Sequence, residues 1–290
     1  MANIEQFTIL KQGVSTWNAW RAEHPDVQVD LNQAPLRGMR LVGVNLEGAL
    51  LIDADLQGTD LSHANLARAN LSGGNLSNAQ CQAICLDQAL LVRANLRKTN
   101  FDEAQLWLGQ MGGATLCEAS LVRAKMVNAT LAKANLAYAN LNAADLSFAL
   151  LGEAVLTEAN FARANLWKAN LEGAHLERAN FRYTNLQKAN LARCVLRGTN
   201  LARANLAYAN FFQADLMSAD VAKTNFQHAI LVDTDLRGVN LTKVAGVSSG
   251  QLRVALTDET TQPPCELVVP EEDCWGETPK PCWLPPQLVA

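Results

Sequence analysis

Four His, seven Cys and twenty-eight Asp and Glu are the residues of this 290-residue chain that could move protons, attack as nucleophiles or hold a metal. Such chemistry needs several of them in one cleft, and the spacing keeps them apart. His24, His63, His175 and His228 are well separated, and there is no His-x-x-x-His, Gly-rich phosphate loop or nucleophile elbow. No Cys-x-x-Cys or neighbouring His supports a structural zinc site. Cys265, Cys274 and Cys282, spaced nine and eight apart, could form a disulfide, but free thiols in a reducing cytoplasm are the default reading. The expectation is a protein with no catalytic, cofactor-binding or metal-binding residues: not an enzyme, and without a small-molecule substrate.

Any site must be positioned by a repeat. Leucine or a close substitute stands at every fifth position from Leu31 to Leu241, as thirty-four Leu, five Phe, two Met, Cys81 and Val221. Two residues before this centre stands Ala in twenty-nine of forty-two places, and one before it usually Asn or Asp; the two residues after it read as variable. Successive centres would fall 140° apart on an α-helix, forming no stripe, and on opposite faces of a strand. The pattern works if the chain turns a corner every five residues, with the centre and the small residue pointing inward. Four sides make a coil of about twenty residues, and ten to eleven coils stacked at roughly 4.8 Å make a rod about 50 Å long. After Pro35 there is no proline until Pro263, as stacked coils that use their N–H groups require.

Runs such as Ala159-Asn160-Phe161-Ala162-Arg163-Ala164-Asn165-Leu166 resemble the pentapeptide-repeat family, over residues 31–243. The resemblance implies an all-β solenoid, a right-handed quadrilateral β-helix, here capped by short helices. Open solenoid ends need covers. Phe7, Leu10, Val14, Trp17 and Trp20 predict one amphipathic helix over about 4–22, stopped at His24-Pro25. The Gly13–Pro25 segment resembles N-terminal caps of pentapeptide proteins common in cyanobacteria. Ser248 or Ser249 would N-cap a short helix carrying Leu252, Ala255 and Leu256. Gln251–Pro263 resembles a C-terminal flank of the same family, departing from it at Thr257, where Gly is usual. The chain thus divides into a helical cap (1–30), the β-helix (31–243), a second helical cap (244–262) and a Pro-rich acidic tail (263–290), read as extended or mobile. Trp275 or Trp283 of that tail could pack back on the rod. No charged-then-apolar leader opens the chain and no apolar run approaches eighteen residues, so a cytoplasmic location without membrane contact is expected.

Read modulo twenty, the outward residues sort onto four sides. Leu50, Leu90, Leu150 and Ile230 take the Asn slot on one side, where Ile52, Val92, Phe212 and Val232 also face outward. These eight are the first candidate interaction face, for a protein partner or a second copy of the chain. Trp107, Leu108, Phe148, Trp167 and Tyr208 share another side and form the second. A third side carries Arg123, Arg163, Arg182, Tyr183, Arg203, Lys223 and Lys243, diluted by Asp102, Glu103 and Asp220; it reads as a solvated face, and nucleic acid is not the expected partner.

The functional expectation is a non-enzymatic interaction scaffold or regulator. Two alternatives stand beside it. Some pentapeptide-repeat proteins resemble duplex DNA in diameter and charge and bind DNA gyrase, so the resemblance admits a DNA mimic. Mimicry calls for a strongly negative rod, and residues 31–243 carry twenty Lys and Arg against seventeen Asp and Glu, a net +3; the flanks, with four against eleven, carry the net −7. The other alternative is an inert structural rod whose four sides behave alike.

Overall fold

The computed structural model describes residues 1–267. From Asp30 onward every fifth residue makes a parallel bridge to the residue twenty further on, Asp30 to Leu50 through Asn225 to Ala245 with few gaps. Each side ends in a tight turn in which the small residue donates to the preceding centre carbonyl, as Ala134 N–H does to Leu131 at 3.0 Å. The third turn residue has positive φ at every one of the positions from Gln33 to Gly238, thirty-three of them non-glycine. A single positive φ at that place defines a type II turn. The second residue after the centre is therefore not free to vary. None of these turn residues is Val, Ile or Thr, because a β-branched side chain is a steric outlier there. One residue earlier, where φ is negative, Val42, Ile52, Val92, Val122, Val127 and Val232 all occur.

The centres fill the rod. Leu31 through Leu241 are buried in one continuous core, with Phe161 and Phe181 stacked at 4.8 Å. Where Thr replaces the small Ala, its hydroxyl must find an acceptor. Thr59, Thr99, Thr184 and Thr234 each donate to the centre carbonyl of the coil below, at 2.7 to 2.9 Å. Cys194 does the same through its thiol to Leu171 at 3.0 Å, and desolvation raises its pKa to about 12. The same effect holds Cys81 protonated still more firmly.

The Asn slot has a physical explanation. Asn160 Oδ1 accepts the N–H of Ala162 (3.2 Å), closing its own turn, and also accepts from Asn180 Nδ2 of the next coil (3.0 Å). One side chain thus caps a turn and extends a ladder along the rod.

The ends are closed by polar side chains as well as apolar ones. Two helices, α1 (Ile4–Lys11) and α2 (Val14–Glu23), stand where one was expected. The chain breaks at Gly13, whose φ of 115° does not fit a helix, and this turns Trp17 inward. Trp17 Nε1 donates to Asn45 O at 2.7 Å, and Gln6 takes the Asp30 N–H at 2.7 Å, so part of the first coil's open edge is satisfied. At the other end, α3 (Ser249–Arg253) carries a capping box between Ser248 and Gln251. Leu252 and Ala255 are buried, but Ala255 and Leu256 both lie beyond the helix, and Leu256 bridges Asp235. Gly246, at φ 75°, lies where a Cβ would come within 2.8 Å of Gln227 backbone. The readings of the tail, including a Cys265, Cys274, Cys282 disulfide and packing through Trp275 or Trp283, fall mostly on residues outside those described.

Candidate interaction faces

The coil register places the two sets of candidates on two flat sides and shows how each is grouped. On the apolar side, Leu50 and Ile52 are separated from Leu90 and Val92 by the coil of Asn70 and Ser72. Leu150 stands apart beyond Gln110 and Thr130, 47% exposed. A polar ladder, Asn170–Asn190–Asn210, then intervenes before Ile230, Val232 and Phe212. The eight residues share a side but form separated groups.

The aromatic side is continuous. Trp107 and Leu108, then Val127, Phe148 and Trp167, occupy four successive coils. Phe148 and Trp167 meet edge to face at 4.8 Å, the preferred aromatic geometry, and Lys168 lies 4.6 Å over the Trp167 ring. Trp107 is 44% exposed and Phe148 38%. Val127 fills the coil between Trp107 and Phe148. Sequence reasoning passed over it, although its position modulo twenty was legible. Tyr208 lies one coil beyond Lys188 and stacks on His228 at 4.9 Å, apart from the main group.

Most of the ion pairs lie on the other two sides. Among the described residues the fourth side holds six of the ten ion pairs, including Arg97 and Lys98 with Glu118, Arg178 with Glu158 and Arg237 with Asp235. The Arg237 guanidinium holds the Asp235 carboxyl below its ordinary value. On the basic side Arg123 pairs with Glu103. Beyond it, Arg163, Arg182, Arg203, Lys223 and Lys243 have no ion-pair partner among the described residues, and Tyr183 receives Arg182 and Arg203 at 5.6 and 5.3 Å.

The His residues do not converge. His24 stacks on Trp20, His175 faces Glu177 at 3.5 Å and His228 lies against Tyr208. Among the described residues no cluster of His, Cys, Asp and Glu could hold a metal ion, and no helix is long and apolar enough to cross a membrane. A cavity of about 180 Å³ lies between Asp220–Ala222 and Asn240–Lys243, where the bridge of Asp220 to Asn240 is skipped. It is smaller than the roughly 300–1,000 Å³ of ordinary small-molecule pockets.

The family model described as pentapeptide repeats matches in eight copies, from residues 30–67 to residues 219–244. No curated protein matches the chain significantly. Among solved structures, HetL, a pentapeptide repeat protein involved in heterocyst differentiation regulation in the cyanobacterium Nostoc sp., is similar at 29% identity, covering 69% of this chain and 91% of its own, with a TM-score of 0.33. A pentapeptide repeat protein of the Arabidopsis thaliana thylakoid lumen is 27% identical over 37% of this chain and 71% of its own (TM-score 0.32). QnrB1, a plasmid-mediated fluoroquinolone resistance protein, is 16% identical over 76% and 90% (TM-score 0.27). With the family model matching most of the chain between residues 30 and 244, this protein belongs to the pentapeptide-repeat family and has its right-handed quadrilateral β-helix.

Proposed function

We propose that the protein is a non-enzymatic cytoplasmic scaffold that holds a protein partner against its aromatic side. The observation that carries this reading is the unbroken outward patch of Trp107, Leu108, Val127, Phe148 and Trp167 over four successive coils. Large rigid aromatics supply contact area at little entropic cost, and they sit on a backbone already fixed by the ladder. Leu108 and Phe148 also occupy turn positions of φ 55° and 60°. Bulky residues there incur backbone strain without the compensation of burial.

The apolar side is the second surface of the scaffold. Leu90, Leu150 and Ile230 give up the turn-capping and ladder bonds that Asn makes in the same slot, and a self-association through that side would repay the loss. The net +3 of residues 31–243 argues against a duplex mimic. Affinity capture from native-type cell lysate, with wild type beside Trp107→Glu/Trp167→Glu, tests the proposal. A protein held by wild type and lost by the variant, with unchanged thermal unfolding, supports it. A partner held equally by both overturns it.

A further inference from the structure

The basic side carries a row of cations that the aromatic side lacks. Five cations, Arg163, Arg182, Arg203, Lys223 and Lys243, fall in five successive coils, one about every 4.8 Å. Other cations at this turn position meet a carboxylate one coil away, as Arg123 meets Glu103, Lys133 meets Glu153 and Arg178 meets Glu158, while Arg93, Lys168 and Lys188 have no ion-pair partner among the described residues and form no row of five successive coils. Along these five coils the one carboxylate on the side is Asp220, and it forms no ion pair among the described residues. Such a row repels itself and attracts a multivalent anion.

The chain leaves the rod at the foot of this row. Gln262 bridges Asn240, and Cys265 Sγ donates to Thr242 O at 3.4 Å, directly beside Lys243. Residues 268–290 lie outside those described; their sequence carries Glu271, Glu272, Asp273 and Glu277 against the single cation Lys280. Glu271 to Asp273 follow Leu267 by four to six residues, a reach of up to roughly 13–22 Å. The row from Lys243 back to Arg163 spans four coil steps, about 19 Å. Sign and reach match.

We propose that the unpaired basic row is a docking surface for a carboxylate-rich segment, and that its occupant is the chain's own Glu271-Glu272-Asp273 run. The strongly negative flank and the positive rod are then complementary parts of one molecule. An acidic partner would reach the row only by displacing the tail. The proposal is independent of the aromatic side.

Zero-length carbodiimide coupling of the full-length protein tests it, because the reagent joins only an amine and a carboxylate in contact. The expected products are links from Lys223 or Lys243 to Glu271, Glu272 or Asp273 within the monomer, lost in 0.5 M NaCl. In Glu271→Gln/Glu272→Gln/Asp273→Asn, acylation of Lys223 should quicken at least threefold, while Lys168 and Lys188 on the aromatic side are unchanged. Links confined to a dimer, or identical Lys223 acylation in both proteins, would overturn the assignment. So would retention of a duplex oligonucleotide that the triple substitution leaves unaltered, since the row would then be open to phosphate.

Discussion

Lys133 is an outward residue whose replacement by Val should be harmless if exposure were all that mattered. It is paired with Glu153 at 3.5 Å, both side chains at least two-thirds exposed, so the pair contributes about 0–0.5 kcal/mol. Its φ is 59°, however, at the third position of a type II turn. Lys133→Ala should therefore cost no more than about 0.5 kcal/mol. Lys133→Val should cost a further 1–2 kcal/mol or so, because a β-branched side chain clashes with its own backbone in that region. Lys133→Gly removes the clash of roughly 1–2 kcal/mol but adds about 0.5–1 kcal/mol of unfolded-state entropy, so it should be neutral to slightly stabilising. Ala132→Val, one residue earlier at negative φ, should lie within about 0.5 kcal/mol of wild type. Guanidinium unfolding of the four variants measures all of this. Equal midpoints for Lys133→Val and Lys133→Ala would refute the turn argument, and with it the explanation for the missing Val, Ile and Thr.

Three other perturbations probe the rest of the rod. Leu141, fully buried at mid-column, should not tolerate Asp: an unpaired carboxylate there costs more than about 4 kcal/mol, and the variant should show no cooperative unfolding by circular dichroism. Gly246→Ala should cost about 2 kcal/mol or more, from positive φ and a 2.8 Å approach to Gln227, and hydrogen exchange should quicken in the last coil before it does at Leu141. Asp235 is lowered in pKa chiefly by its hydrogen bond to Arg237. Its stabilising contribution is present above the ordinary carboxylate range and is lost as pH falls through the depressed folded value. Asp235→Asn should therefore lose less stability on acidification than wild type, as urea titrations at descending pH would show.

The fold was legible because one physical requirement repeats: every fifth residue must fill the core, and the small residue before it must clear the corner. The Asn slot and the inward Cys81 and Cys194 followed from the same register. The turn rule was equally present in the chain, but it shows as an absence, the lack of β-branched residues at the turn positions Gln33, Gly38 and so on to Gly238, and absences are hard to see without the dihedrals. The break at Gly13 escaped because the 3–4 apolar spacing of Phe7, Leu10, Val14 and Trp17 continues across it. The candidate faces were legible as sides but not as patches. Only the coil stacking shows that Leu50 and Ile230 are far apart while Trp107 and Trp167 border one surface with Val127 between them. Ion pairing, which distinguishes the basic row from the neutralised fourth side, depends on side-chain reach between coils and cannot be read from spacing alone.

The most direct test of the scaffold reading is a capture experiment run on all four sides at once: wild type beside Trp107→Glu/Trp167→Glu, Leu90→Glu/Leu150→Glu, Arg203→Glu/Lys223→Glu and Arg178→Glu, each checked for wild-type thermal unfolding. The account predicts that one partner is retained by wild type and by the fourth-side variant, and is lost when the aromatic side is charged. Identical captures from all five proteins would contradict it and leave an inert rod.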